Sequence, residues 1–237
     1  MVNYVPFFQD ISENSVTLLK KHAAEKFLPK NELLFSCDNK ANYFYFIVDG
    51  WVKLYRNTFA GDEVIIDILT KGGVFGEYVD LQDNKHNLCA KTISNVNIVS
   101  YPTNILKECI DNDHVLASNM IKISNQKQQN QMYDAEHLIC QSATQRIGCF
   151  LLRLCDPKKQ HDIIIDLPYD KFLIAARLGM KVETFSRSLT KLAEDTGIRV
   201  EGSRIHIINL DSLIDYTCDN CSKRFPCTLD NKTFVGF

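Results

Sequence analysis

The chain has 237 residues, 45% hydrophobic and 24% charged, with a formal net charge of -2. That is chain enough for one large or two modest globular domains, and the composition excludes a disordered or membrane-embedded class. With no overall basic excess, a polyanionic partner has to be met by a local patch.

The opening residues, MVNYVPFFQDISENS, lack a basic stretch followed by an apolar one, which points away from a secretory signal and toward the cytoplasm. No uncharged apolar run approaches the ~20 residues of a membrane span. Thiols stay reduced in the cytoplasm. The nine cysteines are therefore expected to be core residues or metal ligands rather than disulfide partners.

After a short amphipathic stretch around Val16, Leu18, Leu19 and Ala23, residues 32–101 read as short strands. NYFYFIVDGWVKLYR holds two apolar-aromatic runs joined at Asp49-Gly50, a dipeptide suited to a hairpin turn. EVIIDIL, LCAKTI and NVNIVSY add further runs, and together they predict a small β-barrel or roll. From Thr103 the period changes. NILKECI predicts a short helix, and Asp113 caps a long one reaching about Cys140, with Val115, Leu116, Ile121, Met132 and Leu138 at helical spacing. Its middle, SNQKQQNQ, is polar and makes either a solvated face or a weak seam between two chains.

TQRIGCFLLRLC predicts a compact amphipathic helix, and Cys149 and Cys155 read as its core thiols. DIIIDL follows as a strand. YDKFLIAARLG and MKVETFSRSLTKLAEDTG are two helices, each stopped by glycine, and IRVEGSRIHII is a hairpin turning at Glu201-Gly202-Ser203. Helix, glycine turn, helix and hairpin is the pattern of a winged helix-turn-helix. Phe185, Leu189 and Leu192 would pack the second helix, leaving Lys181, Glu183, Thr184, Ser186, Arg187 and Lys191 outward. Arginine can fork onto guanine, glutamate can accept from cytosine, and serine can approach thymine. Residues 170–204 carry an excess of two positive charges. The fold class is thus α+β: a roll over 1–112, a dimerisation helix over 113–140, and a winged helix with a cysteine-rich tail over 141–237.

The residues Tyr45-Phe46-Ile47-Val48-Asp49-Gly50, Val52-Lys53-Leu54-Tyr55, Phe75-Gly76-Glu77 and Val182-Glu183-Thr184-Phe185-Ser186-Arg187 carry a resemblance to the CRP/FNR family of dimeric bacterial transcription regulators. Glu183-x-x-Ser186-Arg187 resembles the FNR branch. The resemblance implies a homodimer joined along the long helix, RNA polymerase as a partner, and base contacts from Glu183, Ser186 and Arg187 to a TTGAT-like inverted repeat. One departure matters. The Arg-Ser pair that holds the cyclic phosphate in the cAMP-binding branch falls on Asn87 and Leu88, so the roll lacks that charge-assisted contact.

The signal is then expected from the tail, CDNCSKRFPC at 218–227. Cys218, Cys221 and Cys227 resemble the C-terminal cysteine arrangement that holds a [4Fe-4S] cluster in some FNR-branch sensors of oxygen, nitric oxide or redox state. Lys223 and Arg224 would lower the thiol pKa values and offset an anionic cluster. The fourth ligand falls near His137, with Cys140 one turn later as the alternative. Zinc on the same cysteines is the competing metal, and thiol–disulfide switching or no metal at all is the remaining alternative. Haem ligated by His22, His86, His114 or His137 is a competing sensor, and a cyclic-nucleotide-binding module is the competing class. No catalytic set is legible, so an enzyme is not expected.

Overall fold

The computed structural model describes residues 8–76, 79–80, 84–167 and 170–227. The chain runs α1 (Glu13–His22), β1 (Ala24–Leu28), β2 (Leu33–Phe35), β3 (Tyr43–Asp49), β4 (Val52–Asn57), β5 (Glu63–Leu69), β6 (Val74–Phe75), β7 (Val79–Asp80), β8 (Lys85–His86), β9 (Cys89–Thr92) and β10 (Val96–Pro102). Helices α2 (Thr103–Asn112), α3 (His114–Cys140) and α4 (Ala143–Arg153) follow. The chain ends with β11 (His161–Asp166), α5 (Lys171–Arg177), α6 (Val182–Thr196), β12 (Arg199–Glu201), β13 (Arg204–Asn209) and α7 (Leu210–Cys218). Contacts divide it into two compact units, 1–129 and 130–237.

In the first unit two four-stranded antiparallel sheets, ordered β1-β10-β3-β6 and β2-β9-β4-β5, form the roll. The alternation of β3 explains how one strand serves two cores. Tyr45 and Ile47 face the other sheet with Val52, Leu54, Phe75 and Ile98. Phe44 and Phe46 face the helices, against Leu19, Leu106 and Leu116. Each fully buried aromatic or aliphatic side chain of this kind stabilises by about 1.5–3 kcal/mol.

The expected hairpin at Asp49-Gly50 is not formed. β3 pairs with β10 and β6, whereas β4 pairs with β5 and β9, so the turn carries the chain from one sheet to the other. Gly50 has φ +92, and a Cβ there would lie 2.2 Å from the Asn95 carbonyl oxygen, so this corner requires glycine. The true hairpin is β4–β5, closed across residues 58–62.

Asp113 caps α3 as the sequence predicts. Its Oδ1 accepts from the backbone N–H groups of Val115 (3.0 Å) and Leu116 (3.2 Å), and its Oδ2 accepts from Ser12 N–H at 2.8 Å. Burial alone would raise this carboxyl, but the hydrogen bonds from Ser12, Ser15 and Leu116 outweigh it and hold it well below the usual carboxylate range.

The second unit is a winged helix. Helix α4 opens with a full capping box between Ser142 and Gln145, α5 is capped by the Asp170 side chain, and α6 stops at Gly197 in the left-handed region. The sheet order β11-β13-β12 puts the wing beside the helices, with its two-residue turn at Gly202-Ser203. Ile147, Leu151, Ile174, Phe185, Leu189, Leu192, Ile205 and Ile207 close one core. Among the described residues no helix is long and apolar enough to cross a membrane.

Candidate functional site: recognition helix and tail cysteines

The α5–α6 turn passes through Gly179 at φ +65, and Lys181 sits at the N-cap of α6 without a side-chain cap. From there the helix buries Phe185, Leu189 and Leu192 and exposes Lys181, Glu183, Ser186, Arg187 and Lys191, with Thr184 half-buried. Glu183 and Arg187 stand one turn apart, where an ion pair would be natural. Among the described residues neither makes one. Their hydrogen-bonding edges are left for a partner. The wing strand β13 begins at Arg204, whose guanidinium grips Asp166 through Nε at 2.9 Å.

The tail folds back on the second unit. Ser222 donates to Glu136 twice, from its backbone N–H and its hydroxyl, each at 2.8 Å. Those bonds hold the exposed Glu136 carboxyl below its ordinary value. Lys223 Nζ lies 4.7 Å over the Tyr133 ring, a cation–π contact. Arg224 pairs with Asp215. The two cations are thus held by other groups. Cys218 is pushed up by burial, and Arg224 only partly opposes this. The expected lowering of the tail thiols is therefore not found at Cys218: desolvation exceeds the effect of a cation already paired with a carboxylate.

His137 is buried and stands at the centre of the tail contacts. Its Nε2 is 3.4 Å from Cys221 Sγ, and its Nδ1 is 3.8 Å from Cys149 Sγ. Burial first, and then the Arg153 charge, lower its pKa, so the ring is held neutral. A neutral imidazole keeps a lone pair for a metal or one N–H for a sulfur. Cys140 is exposed. Cys149 is buried, as the sequence reading expects of a core thiol. It lies in a helix that reads as apolar core, yet it is absent from the apolar cluster that contains Cys155. Its thiol is pushed up to about 12, by burial first, and it lies within electrostatic reach of Cys218, Cys221 and Cys227. No spacing rule announces such a contact, since its partners are more than one helix away in sequence.

Among the described residues no three donors close on a single point as they would around one metal ion. The donor types present, cysteine sulfur with one imidazole between Cys149 and Cys221, are the soft kind an iron-sulfur cluster takes, with its irons ligated at separate corners. Of the histidines weighed for haem, His86 is buried and stacked on Phe35 at 3.7 Å between ring centroids, and His22 Nδ1 lies 3.0 Å from the Leu18 carbonyl oxygen. In the roll, Leu88 is buried in the core, and the Asn87 carbonyl accepts from Arg56 Nε at 3.0 Å. Glu77 lies outside the described residues.

A roll, a long helix and a winged helix with an open recognition face define a DNA-binding regulator. Residues 25–113 match the cyclic nucleotide-binding domain family, and residues 145–216 match the Crp-like helix-turn-helix domain family. The chain belongs to the CRP/FNR family of transcription regulators, whose members bind DNA and are not enzymes.

It is 27% identical over 182 residues to the nitrogen fixation regulation protein FixK of Azorhizobium caulinodans, covering 74% of this chain and 71% of that one. It is 23% identical over 202 residues to the anaerobic regulatory protein of Haemophilus influenzae, covering 84% and 78%. The solved structure of FixK2 from Bradyrhizobium japonicum shares the fold at a TM-score of 0.68, with 24% identity over 81% of this chain and 95% of that one.

Proposed function

We propose that the chain is a homodimeric regulator that reads a TTGAT-like inverted repeat and is controlled by a [4Fe-4S] cluster on its tail cysteines. The observation that carries the sensing part is the meeting of Cys221 and Cys149 at the two nitrogens of the His137 ring. Cys218, Cys221 and Cys227 supply three ligands. The fourth comes from the wall that holds His137 and Cys149. When bound, such a cluster supplies chemistry that oxygen and nitric oxide attack.

The chain's own residues convert that into a signal. Ser222 and Lys223 already tie the tail to Glu136 and Tyr133 near the end of α3. Ligation adds a stronger tie between the DNA-binding unit's last residues and this helix segment. Its loss biases a two-state equilibrium in the pose of the recognition helix.

The open face of α6 supports the DNA part. Arg187 would fork onto guanine, Glu183 would accept from cytosine N4, and Ser186, Thr184 and Lys181 would hold thymine and phosphate. Helix α3 leaves Ile121, Met132 and Ile139 exposed at positions that recur along one side of an α-helix, which suits a seam with a second copy. RNA polymerase is the downstream partner, in the cytoplasm. The buried Leu88 supports a roll that does not take a cyclic phosphate.

Anaerobic purification with iron, sulfide and zinc analysis tests the reading, followed by DNA binding before and after air. Iron and sulfide with a broad visible absorbance that air bleaches, alongside a change in DNA affinity, are expected. Protein without iron or that absorbance overturns the sensing reading, and a sharp Soret band replaces it with haem.

A further inference from the structure

We propose that Cys149, on α4, is the fourth thiolate of the tail centre, and that His137 is a positioning residue which hydrogen-bonds one of the ligand sulfurs. This rests on the reading that the tail cysteines bind a metal centre.

Three observations on separate elements converge on it. Cys149 shares the His137 ring with Cys221: one ring nitrogen lies 3.8 Å from its sulfur, the other 3.4 Å from the tail thiol. A single imidazole therefore spans two of the four thiols. Second, the helix that carries Cys149 is held directly against the helix that ends at Cys218. Gly148 packs on Thr217, and Gln145 and Gln141 side chains donate to the Tyr216 and Thr217 carbonyls at 3.5 and 3.4 Å. The neighbours of Cys149 and Cys218 in sequence are thus neighbours in space, so neither thiol has to travel on a loop to share a cluster.

The third observation is charge. Asp134 receives two guanidinium groups, Arg177 at 2.6 Å and Arg153 at 3.1 Å. Arg153 sits one turn after Cys149 on α4, close enough to interact with its thiol, and its Nε has no hydrogen-bond partner among the described residues. Ligated as a thiolate, Cys149 would have the Arg153 guanidinium one turn away on the same helix. The thiol gives up its proton on ligating the metal, so the step needs no oxidant. His137 then donates its one N–H to a ligand sulfur, a contact of the kind that tunes reduction potential.

The test loads full-length protein anaerobically with ferrous iron and sulfide, and separately with zinc, and reads bound metal, visible absorbance and the electron paramagnetic resonance of the reduced cluster. Cys149→Ala is expected to lose iron to the level of Cys221→Ser. Cys149→Asp, which keeps a donor, is expected to regain iron with a changed resonance signature. A merely structural cysteine predicts the opposite order, because alanine suits a buried site better than aspartate. His137→Gln is expected to keep the cluster and shift its potential.

Full iron and an unchanged spectrum in Cys149→Ala overturn the proposal, as does loss of the cluster in His137→Gln alone. If wild type takes zinc but no iron, and Cys149→Ala loses that zinc, the ligand assignment stands and the iron-sulfur reading falls. If wild type takes neither metal, both fall.

Discussion

Two residues show how position decides what a charged side chain does. Asp113 is a buried carboxylate that works entirely through backbone and hydroxyl donors, closing the start of α3 and pinning Ser12 of the segment before α1. Its folded pKa is depressed. The stability it contributes is therefore present above the ordinary carboxylate pKa of about 3.9 and is lost as pH falls through the lower folded value. Asp113→Ala should cost about 1–2 kcal/mol in urea denaturation at pH 7, and its difference from wild type should shrink as pH is lowered toward 2. Arg187 is the opposite case, an exposed cation with no ion pair among the described residues. Its Arg187→Ala variant should keep the fold and lose about 1–3 kcal/mol of affinity for the inverted repeat, with specificity relaxed at one guanine. Equal loss on scrambled DNA, measured by fluorescence anisotropy, would show a phosphate contact instead.

At the scale of elements, the junction of α4 and α7 leaves no room for an added side-chain atom at Gly148. A Cβ at Gly148 would lie 2.2 Å from Thr217 Oγ1 and 3.2 Å from its Cγ2, so rotating the buried threonine only exchanges one clash for another. Gly148→Ala should therefore destabilise by about 1–3 kcal/mol, seen as a lowered denaturation midpoint, and loosen the tail.

Sequence patterns foresaw the helices of this unit because each carries its own signals: Asp170 at the cap of α5, the glycine stop after α6, and an apolar stripe through Phe185 and Leu189. The roll was legible as strands but not as pairing. Asp49-Gly50 has the chemistry of a hairpin turn, but local chemistry cannot say which sheet the next strand joins. The contact of Cys149 with His137 was illegible for a related reason. An isolated thiol among Ile147, Leu151 and Leu152 looks like core, and only the return of the tail places it beside His137. A family pattern, not a periodicity, pointed to His137 at the end of the long helix, and its ring lies beside Cys221.

For the whole molecule, the proposed function depends on two copies presenting two recognition helices to one inverted repeat. The chain alone buries little along α3, whose exposed Ile121, Met132 and Ile139 are 63%, 65% and 83% accessible. The polar stretch between Ile121 and Met132 makes a seam built on these few apolar contacts weak enough to be adjusted by a ligand near its end. The proposed tail centre sits at that end, since Tyr133, Glu136 and His137 all belong to the last turns of α3. Replacing Ile121, Met132 and Ile139 together by glutamate should give a monomer on analytical ultracentrifugation with an unchanged circular dichroism spectrum. Such a monomer keeps its contacts to a single half-site but forfeits the second, intramolecular binding event, which is worth about 10²–10⁴ in affinity. The expected result is a loss of that size on the full inverted repeat and little change on an isolated half-site. A triple variant that still sediments as a dimer would place the seam on another face.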